Sequence, residues 1–147
     1  MTKFSMLKLS LITAALTLAS TNLNAQTPSL QAKINVPFAF QVGTVQFAPG
    51  TYTVGMLNGV TLRVQGSKNA AFASMLPAIS NKPIAGGKVV FDRVGGQYFL
   101  REVWTAGTTE HLVAYESKSE KQAQKSELAA NHPATSAAEI AVALGGR

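Results

Sequence analysis

The sequence predicts a mainly β domain, either a small antiparallel sandwich or a partly open barrel, followed by a C-terminal helix. Apolar residues recur with a period of two over several short segments, which is the pattern of half-buried strands. Turn signals separate these segments at steady intervals, without the helical crossovers that a parallel sheet requires. Hydrophobic residues make up 46% of the 147 residues and charged residues 14%, a balance that indicates one packed domain.

The N-terminus has the features of an export signal. Lys3 and Lys8 form a positive region without acidic residues, and the apolar segment 9–19 is too short to span a bilayer. Ala25 is the expected last residue of this signal peptide, residues 1–25, and Ala19 is the alternative. We therefore expect a mature protein without a membrane span, located in the periplasm or outside the cell.

A linker over residues 26–32 precedes the antiparallel β domain, which is predicted over residues 33–116. Apolar residues alternate with others from Ile34 to Val42, which predicts the first strand. Pro37 interrupts this pattern and cannot donate a ladder hydrogen bond. The strand should therefore lie at a sheet edge or break at this position.

The next strands are predicted to form a hairpin after a type II turn centred on Pro49-Gly50. A three-residue loop, Leu57 to Gly59, would pair Met56 with Val60 and would need Gly59 in the left-handed conformation. This register places all six alternating apolar side chains of the hairpin on one face. They are Tyr52, Val54, Met56, Val60, Leu62 and Val64.

Further strands are predicted up to residue 116. Residues 70–76 form a short apolar run whose alanines would also suit a helix, and residues 77–87 form a loop rich in Pro and Gly. Gly95-Gly96 is the turn of a second hairpin. Its strands are residues 88–94 and 97–105, and a last short strand is expected at residues 112–115.

The C-terminal part is predicted to be helical. Ser117 and Glu120 have capping-box spacing and begin a largely solvated helix over residues 117–131. Residues 132–147 form a tail in which Ser136 and Glu139 repeat that spacing. A short helix and an irregular tail are both open for this segment.

Three segments resemble a group of small exported bacterial proteins of unknown function. The motifs of that group are VPF-x-F-x-VG, PAGTY and YFL-x-E-x-W, and the matching segments here are residues 36–43, 47–54 and 98–104. Ala48 and Pro49 are exchanged relative to the second motif. The resemblance implies a signal peptide, a β domain and a charged C-terminal helix. It implies no activity, because none is assigned to the group.

No set of residues predicts a catalytic, metal or cofactor-binding site. The chain has no cysteine and only two histidines. His111 with Glu102 and Glu110 is the one combination that could form a zinc site, and these residues are equally expected as solvated surface groups. Asp92 is the only aspartate and no serine lies in a nucleophile-elbow context, so a hydrolytic triad has little support. The basic residues are dispersed, which argues against nucleic-acid binding.

Aromatic residues give the one positive indication of a binding surface. Tyr98, Trp104 and Tyr115 are the candidate ligand-binding residues, because exposed aromatics on a β face can stack on a sugar ring or contact another protein. An envelope protein or a glycan is the partner that such residues would fit.

These observations favour a non-enzymatic binding or structural module of the cell envelope. The alternative is a carrier of a small apolar ligand in a barrel interior, and the third hypothesis is a small hydrolase. An aromatic surface patch would favour the module and an apolar cavity would favour the carrier. Converging carboxylates, or His111 in a cleft, would favour the hydrolase.

Overall fold

The computed structural model describes residues 31–130 and 140–145, which form a mainly β fold with one C-terminal helix, as the sequence predicts. The predicted signal peptide and its cleavage position lie outside the described residues. The strands are β1 Gln31–Val36, β2 Phe40–Val42, β3 Val45–Phe47, β4 Gly50–Asn58, β5 Thr61–Gln65, β6 Ala70–Ile79, β7 Lys88–Val94, β8 Gln97–Trp104, β9 Glu110–Ala114 and β10 Ile140–Ala143. The helix, α1, spans Lys118–Ala129.

The strands form one bent, open sheet. Its order is β1-β4-β5-β6-β9-β8-β2-β3, and β7 pairs with both β8 and β10. β6 pairs through residues 70–74 with β5 and through residues 75–79 with β9, so this strand joins the two halves of the sheet. The end of β10 reaches β1 at one isolated bridge, where the Gly145 amide donates to the Lys33 carbonyl over 2.8 Å.

Strand β8 has two different neighbours along one of its edges. It pairs with β7 along its whole length, whereas its other edge pairs with β9 over residues 102–104 and with β2 at Phe99. The contact with β2, Gln41 opposite Phe99, is parallel, whereas the other strand pairings of the described residues are antiparallel, as predicted. The hairpin of β2 and β3 attaches to the sheet through this short contact.

The core lies on the inner, concave face of the sheet. Alternate residues of the strands converge there, as the period-two pattern predicts. Phe40 lies at the centre of an aromatic cluster, with ring centroids 5.0 Å from Phe47, 5.2 Å from Tyr52 and 5.0 Å from Phe91. All four rings are buried.

Two turn predictions are wrong. Met56 pairs with Leu62 and Val54 with Val64, two residues away from the predicted register, because the chain turns at Gly59 and Val60 and Leu57 lies in a bulge. A shift of two residues keeps each side chain on the same face, so five of the six predicted inner side chains are buried. The sixth, Val60, lies in the turn and is 54% exposed. Neither Gly50 nor Gly59 has a positive φ, which rules out both the type II turn and the left-handed Gly59.

Strand breaks and ends follow the prolines. The first predicted strand breaks at Pro37 into β1 and β2, as expected. Strand β6 continues three residues past its predicted end at Leu76 and includes Pro77. This proline lies beyond Ser74, the last residue of β6 that is paired with β5, and a free strand edge tolerates a residue without an N–H group.

The tail contains a strand where a short helix or an irregular segment was expected. Ile140–Ala143 forms β10, in which Ile140 pairs with Phe91 and Val142 with Val89. The apolar residues alternate here with a period of two, which suits a strand. The segment forms one because the free edge of β7 supplies the hydrogen-bond partners of its backbone. The rest of the predicted tail, residues 132–139 and 146–147, lies outside the described residues.

The Gly95-Gly96 turn depends on left-handed backbone, with φ values of 57° and 76°. We expect Gly96→Ala to lower the unfolding free energy by about 1 kcal/mol, because an L side chain is strained in this conformation. Gly86→Ala is the matched control. A Cβ has open space at both positions, but only Gly96 has a positive φ. Equal stabilities of the two variants in urea unfolding would contradict this assignment.

Candidate functional site

The inner face of the sheet stays open at one end. A cleft of 410 Å³ lies there, which we call the end cleft. Its apolar walls are Met56, Pro77, Ile79, Val103 and Leu112. Pro77 pairs with Leu112 and Leu112 with Val103, so these three form one row across β6, β9 and β8. Ile79, in the next row outward, is 78% exposed.

The cleft is open because the two halves of the sheet end at different heights. The β4–β5 hairpin turns at Gly59 and Val60, whereas β6 continues five residues past Ser74, its last pairing with β5. Residues 75–79 of β6 therefore pair with β9 along one edge and have no β5 partner along the other. Ile79 is exposed on the face that elsewhere forms the core, and it lines the cleft together with the apolar residues Met56, Pro77 and Leu112.

Four polar residues line the same cleft. They are Asn58, Thr105, Glu110 and His111. The Asn58 side chain accepts a hydrogen bond from the Val60 amide over 3.0 Å, which fixes the turn at the rim. His111 Nδ1 is buried and has no hydrogen-bond partner among the described residues. A mainly apolar wall with a few polar groups is the usual composition of a small-molecule site.

The three candidate aromatic residues lie in three different environments. The Tyr98 ring packs against Phe38, with centroids 4.4 Å apart, and belongs to the edge of the core. Trp104 lies on the opposite, outer face of the sheet, and its ring is stacked flat on His111 with centroids 3.9 Å apart. Tyr115 follows β9 and is 59% exposed. The structure therefore does not bring the three together as one surface.

Trp104 is held between neighbours from three strands. It pairs with Lys88 of β7 and His111 of β9, and the Lys88 ammonium lies 5.1 Å from the centroid of the indole ring. The indole N–H donates to the Glu102 carboxylate over 2.6 Å. These contacts cover both faces of the ring and its polar edge, so Trp104 is a packing residue of the outer face.

A partly buried ionic cluster joins α1 to the sheet. The Arg101 guanidinium donates to the Asp92 carboxylate over 2.5 Å, to the Ala114 carbonyl over 3.2 Å and to the Glu120 carboxylate. Glu120 is 2% exposed. The Ser117 side chain accepts from the Glu120 amide over 3.1 Å, which confirms the predicted N-cap. The predicted solvation of the helix is therefore wrong at Glu120, whose carboxylate binds Arg101.

Burial raises the pKa of the Glu120 carboxyl above its ordinary value of 4.5, and the Arg101 charge opposes this rise. Because the pKa of Glu120 is raised by folding, this carboxyl holds its proton to a higher pH in the folded protein than in the unfolded chain. Its contribution to the stability of the folded state is complete below pH 4.5, the ordinary pKa, and is lost as the pH rises through the folded pKa.

We therefore expect the stability of the wild type to fall relative to that of Glu120→Gln between pH 4 and pH 7. The glutamine variant has nearly the same shape and no titrating group at this position. Urea unfolding of both proteins across this range measures the difference. A difference that changes in favour of the wild type as the pH rises would mean that Arg101 outweighs burial.

The residues considered for catalysis or metal binding are not assembled for either. Asp92 and His111 are far apart. Asp92 pairs with Phe99 and His111 pairs with Trp104, and these two positions lie five residues, or roughly 16 Å, apart along β8. The two converging carboxylates, Asp92 and Glu120, share Arg101 as their partner. His111 borders the end cleft, but its ring is stacked on Trp104 on the outer face, and no described carboxylate orients its Nδ1 as a general base requires. Residues 31–130 and 140–145 contain no group of three metal-ligating side chains.

Two features of the site were missed in the sequence. Arg101 and Glu102 are adjacent polar residues within an apolar strand, and such a break in alternation is the signal of a bulge. The structure has this bulge, because Val90 pairs with Glu102 and Phe91 with Leu100. The second feature is the end cleft, whose wall residue Ile79 lies in a segment that its Pro and Gly residues identified as a loop.

Within the described part of the chain, no helix is long and apolar enough to cross a membrane. Comparisons with protein families, with curated proteins and with solved structures found no match to this chain.

Proposed function

We propose that this domain is a non-enzymatic binding protein for a small, mainly apolar molecule, which occupies the end cleft. The observation that carries the proposal is the unfilled apolar interior, with Ile79 exposed at its rim and Val103 buried at its base. A volume of 410 Å³ is within the range of about 300–1,000 Å³ that small-molecule sites occupy. Of the functions that the sequence left open, this is the carrier.

The chemistry of the walls defines the ligand. Met56, Leu112 and Val103 offer apolar contact surface, and the polar groups of Asn58 and Glu110 lie at the same cleft. A ligand with an apolar body and one polar end satisfies both parts. Burial of about 250 Å² of apolar ligand surface contributes roughly 6 kcal/mol, from which the cost of immobilising the ligand is subtracted.

The test uses N-phenyl-1-naphthylamine, a neutral fluorophore that brightens in apolar surroundings. We expect saturable binding of one molecule per chain. Ile79→Asp should weaken it by about tenfold or more, because a carboxylate at the rim must lose water when the ligand enters. Leu128→Asp is the matched control, since Leu128 is a 65% exposed apolar residue on α1, which contributes no residue to the cleft.

Two results would refute the proposal. One is the absence of saturable fluorescence with the wild-type protein. The other is an equal loss of binding in both aspartate variants, which would indicate nonspecific adsorption to exposed apolar residues. Both substitutions replace exposed side chains, so both variants should retain the wild-type Tm.

The proposal places this binding protein outside the cytoplasm, and the signal-like pattern of residues 1–25 is its support. We expect mass spectrometry of the chain from a fractionated bacterial host to find a mature N-terminus at Gln26 in the periplasm or the medium. A full-length cytoplasmic product that retains Met1 would contradict export without affecting the end cleft.

A further inference from the structure

A second groove lies on the outer face, at the position where the edge of β8 changes its partner from β9 to β2. It has a volume of 190 Å³, and we call it the outer groove. Phe72 of β6 and Tyr115 line it and are 58% and 59% exposed. These are two of the most exposed large apolar side chains among the described residues.

The strand register brings these two rings to one face. The Tyr115 amide donates to the Ser74 carbonyl over 3.1 Å, which continues the pairing of Met75 with Ala114 by one residue. Phe72 is two residues from Ser74 and therefore shares its face. Such diagonal neighbours lie about 7–8 Å apart, close enough for both rings to contact one ligand.

Polar groups lie around the two rings. Ser74 and Glu116 are exposed and line the groove with Gln41. The Gln41 amide nitrogen donates to the Gln97 side chain over 2.7 Å, which orients the amide and leaves its oxygen as an acceptor. A hydroxyl, a carboxylate and an amide oxygen beside two aromatic rings form an amphipathic site.

We propose that the outer groove binds a neutral sugar ring of a glycan. An aromatic side chain offers an apolar face to the C–H face of a pyranose, and the polar groups bind its hydroxyls. The exposed carboxylate of Glu116 lines the groove and disfavours an acidic sugar, because like charges repel. This site lies on the outer face and is independent of the ligand of the end cleft.

The test is an NMR titration of the ¹⁵N-labelled protein with cellohexaose, maltohexaose and chitohexaose. We expect at least one of them to bind and to shift the amide signals of Ser74, Tyr115 and Glu116. Tyr115→Ala should weaken this binding by about tenfold, whereas Tyr115→Phe, which retains the ring, should change it less. Leu128→Ala is the control for an exposed apolar side chain that does not line the groove.

Binding that disappears in Tyr115→Ala and in Phe72→Ala, but persists in Leu128→Ala, supports the site. The proposal is overturned if none of the three oligosaccharides binds, or if binding is unchanged in both alanine variants. Stronger binding of an oligogalacturonate would refute the preference for neutral sugars. Since both rings are exposed, these variants should fold, and an unchanged Tm verifies this.

Discussion

The Arg101→Met variant should lose roughly 3–5 kcal/mol of unfolding free energy at pH 7. Arg101 binds two carboxylates, and one of them, Glu120, is almost fully buried. The methionine fills a similar volume but leaves both negative charges without a partner. A domain of this size has a total stability of about 5–15 kcal/mol, so the loss should be large in urea unfolding.

Two comparisons separate the ionic effect from the loss of an arginine side chain. Arg93→Met removes an exposed arginine from the neighbouring strand and should change the stability by about 0.5 kcal/mol or less. The triple variant Arg101→Met, Asp92→Asn, Glu120→Gln removes the stranded charges and should recover part of the loss. A cost of Arg101→Met no greater than that of Arg93→Met would show that the cluster does not stabilise the fold.

Phe40→Ala should be destabilised by a similar amount, about 3–5 kcal/mol. The Phe40 ring contacts Phe47, Tyr52 and Phe91, which come from three other strands, and all of them are buried. Its removal leaves a cavity and also weakens the attachment of the β2–β3 hairpin. Among residues 31–130 and 140–145, the pairing of Gln41 with Phe99 is the only ladder contact of this hairpin with the main sheet.

The matched control is Phe72→Ala. It deletes the same side chain at an exposed position of β6 and should cost about 0.5 kcal/mol or less. Thermal and urea unfolding of the two variants measure the contrast directly. If Phe40→Ala were as stable as Phe72→Ala, the aromatic cluster would not be the centre of the core.

The strands were predictable because the alternation of apolar residues determines which side chains face inward even where the turn type is predicted incorrectly. The β4–β5 register differs from the prediction by two residues, yet Val54 and Met56 still point inward. The predicted hairpin at Gly95-Gly96 is also confirmed, since few residues other than glycine tolerate two successive positive φ values. Local pattern was sufficient for these hairpins but not for β10, whose pairing with β7 depends on a distant strand.

The candidate site was less predictable because it depends on long-range pairings. Tyr98 and Trp104 lie on one strand, but the bulge in that strand and the stacking on His111 place them in different surroundings. Nothing in the local sequence distinguishes Ile79 from a core residue. Its exposure depends on where the β4–β5 hairpin turns, which is a long-range property of the fold. The partner of Glu120 is 19 residues away in the sequence, so the capping pattern at Ser117 could not reveal it.

The most direct test of the central claim is the location of bound N-phenyl-1-naphthylamine by intermolecular nuclear Overhauser effects. We expect contacts from the naphthyl protons to the methyl groups of Ile79, Val103 and Leu112, which surround the end cleft. Contacts confined to Leu128, Phe72 or Tyr115 would contradict the claim that the uncovered inner face of the sheet is the binding site.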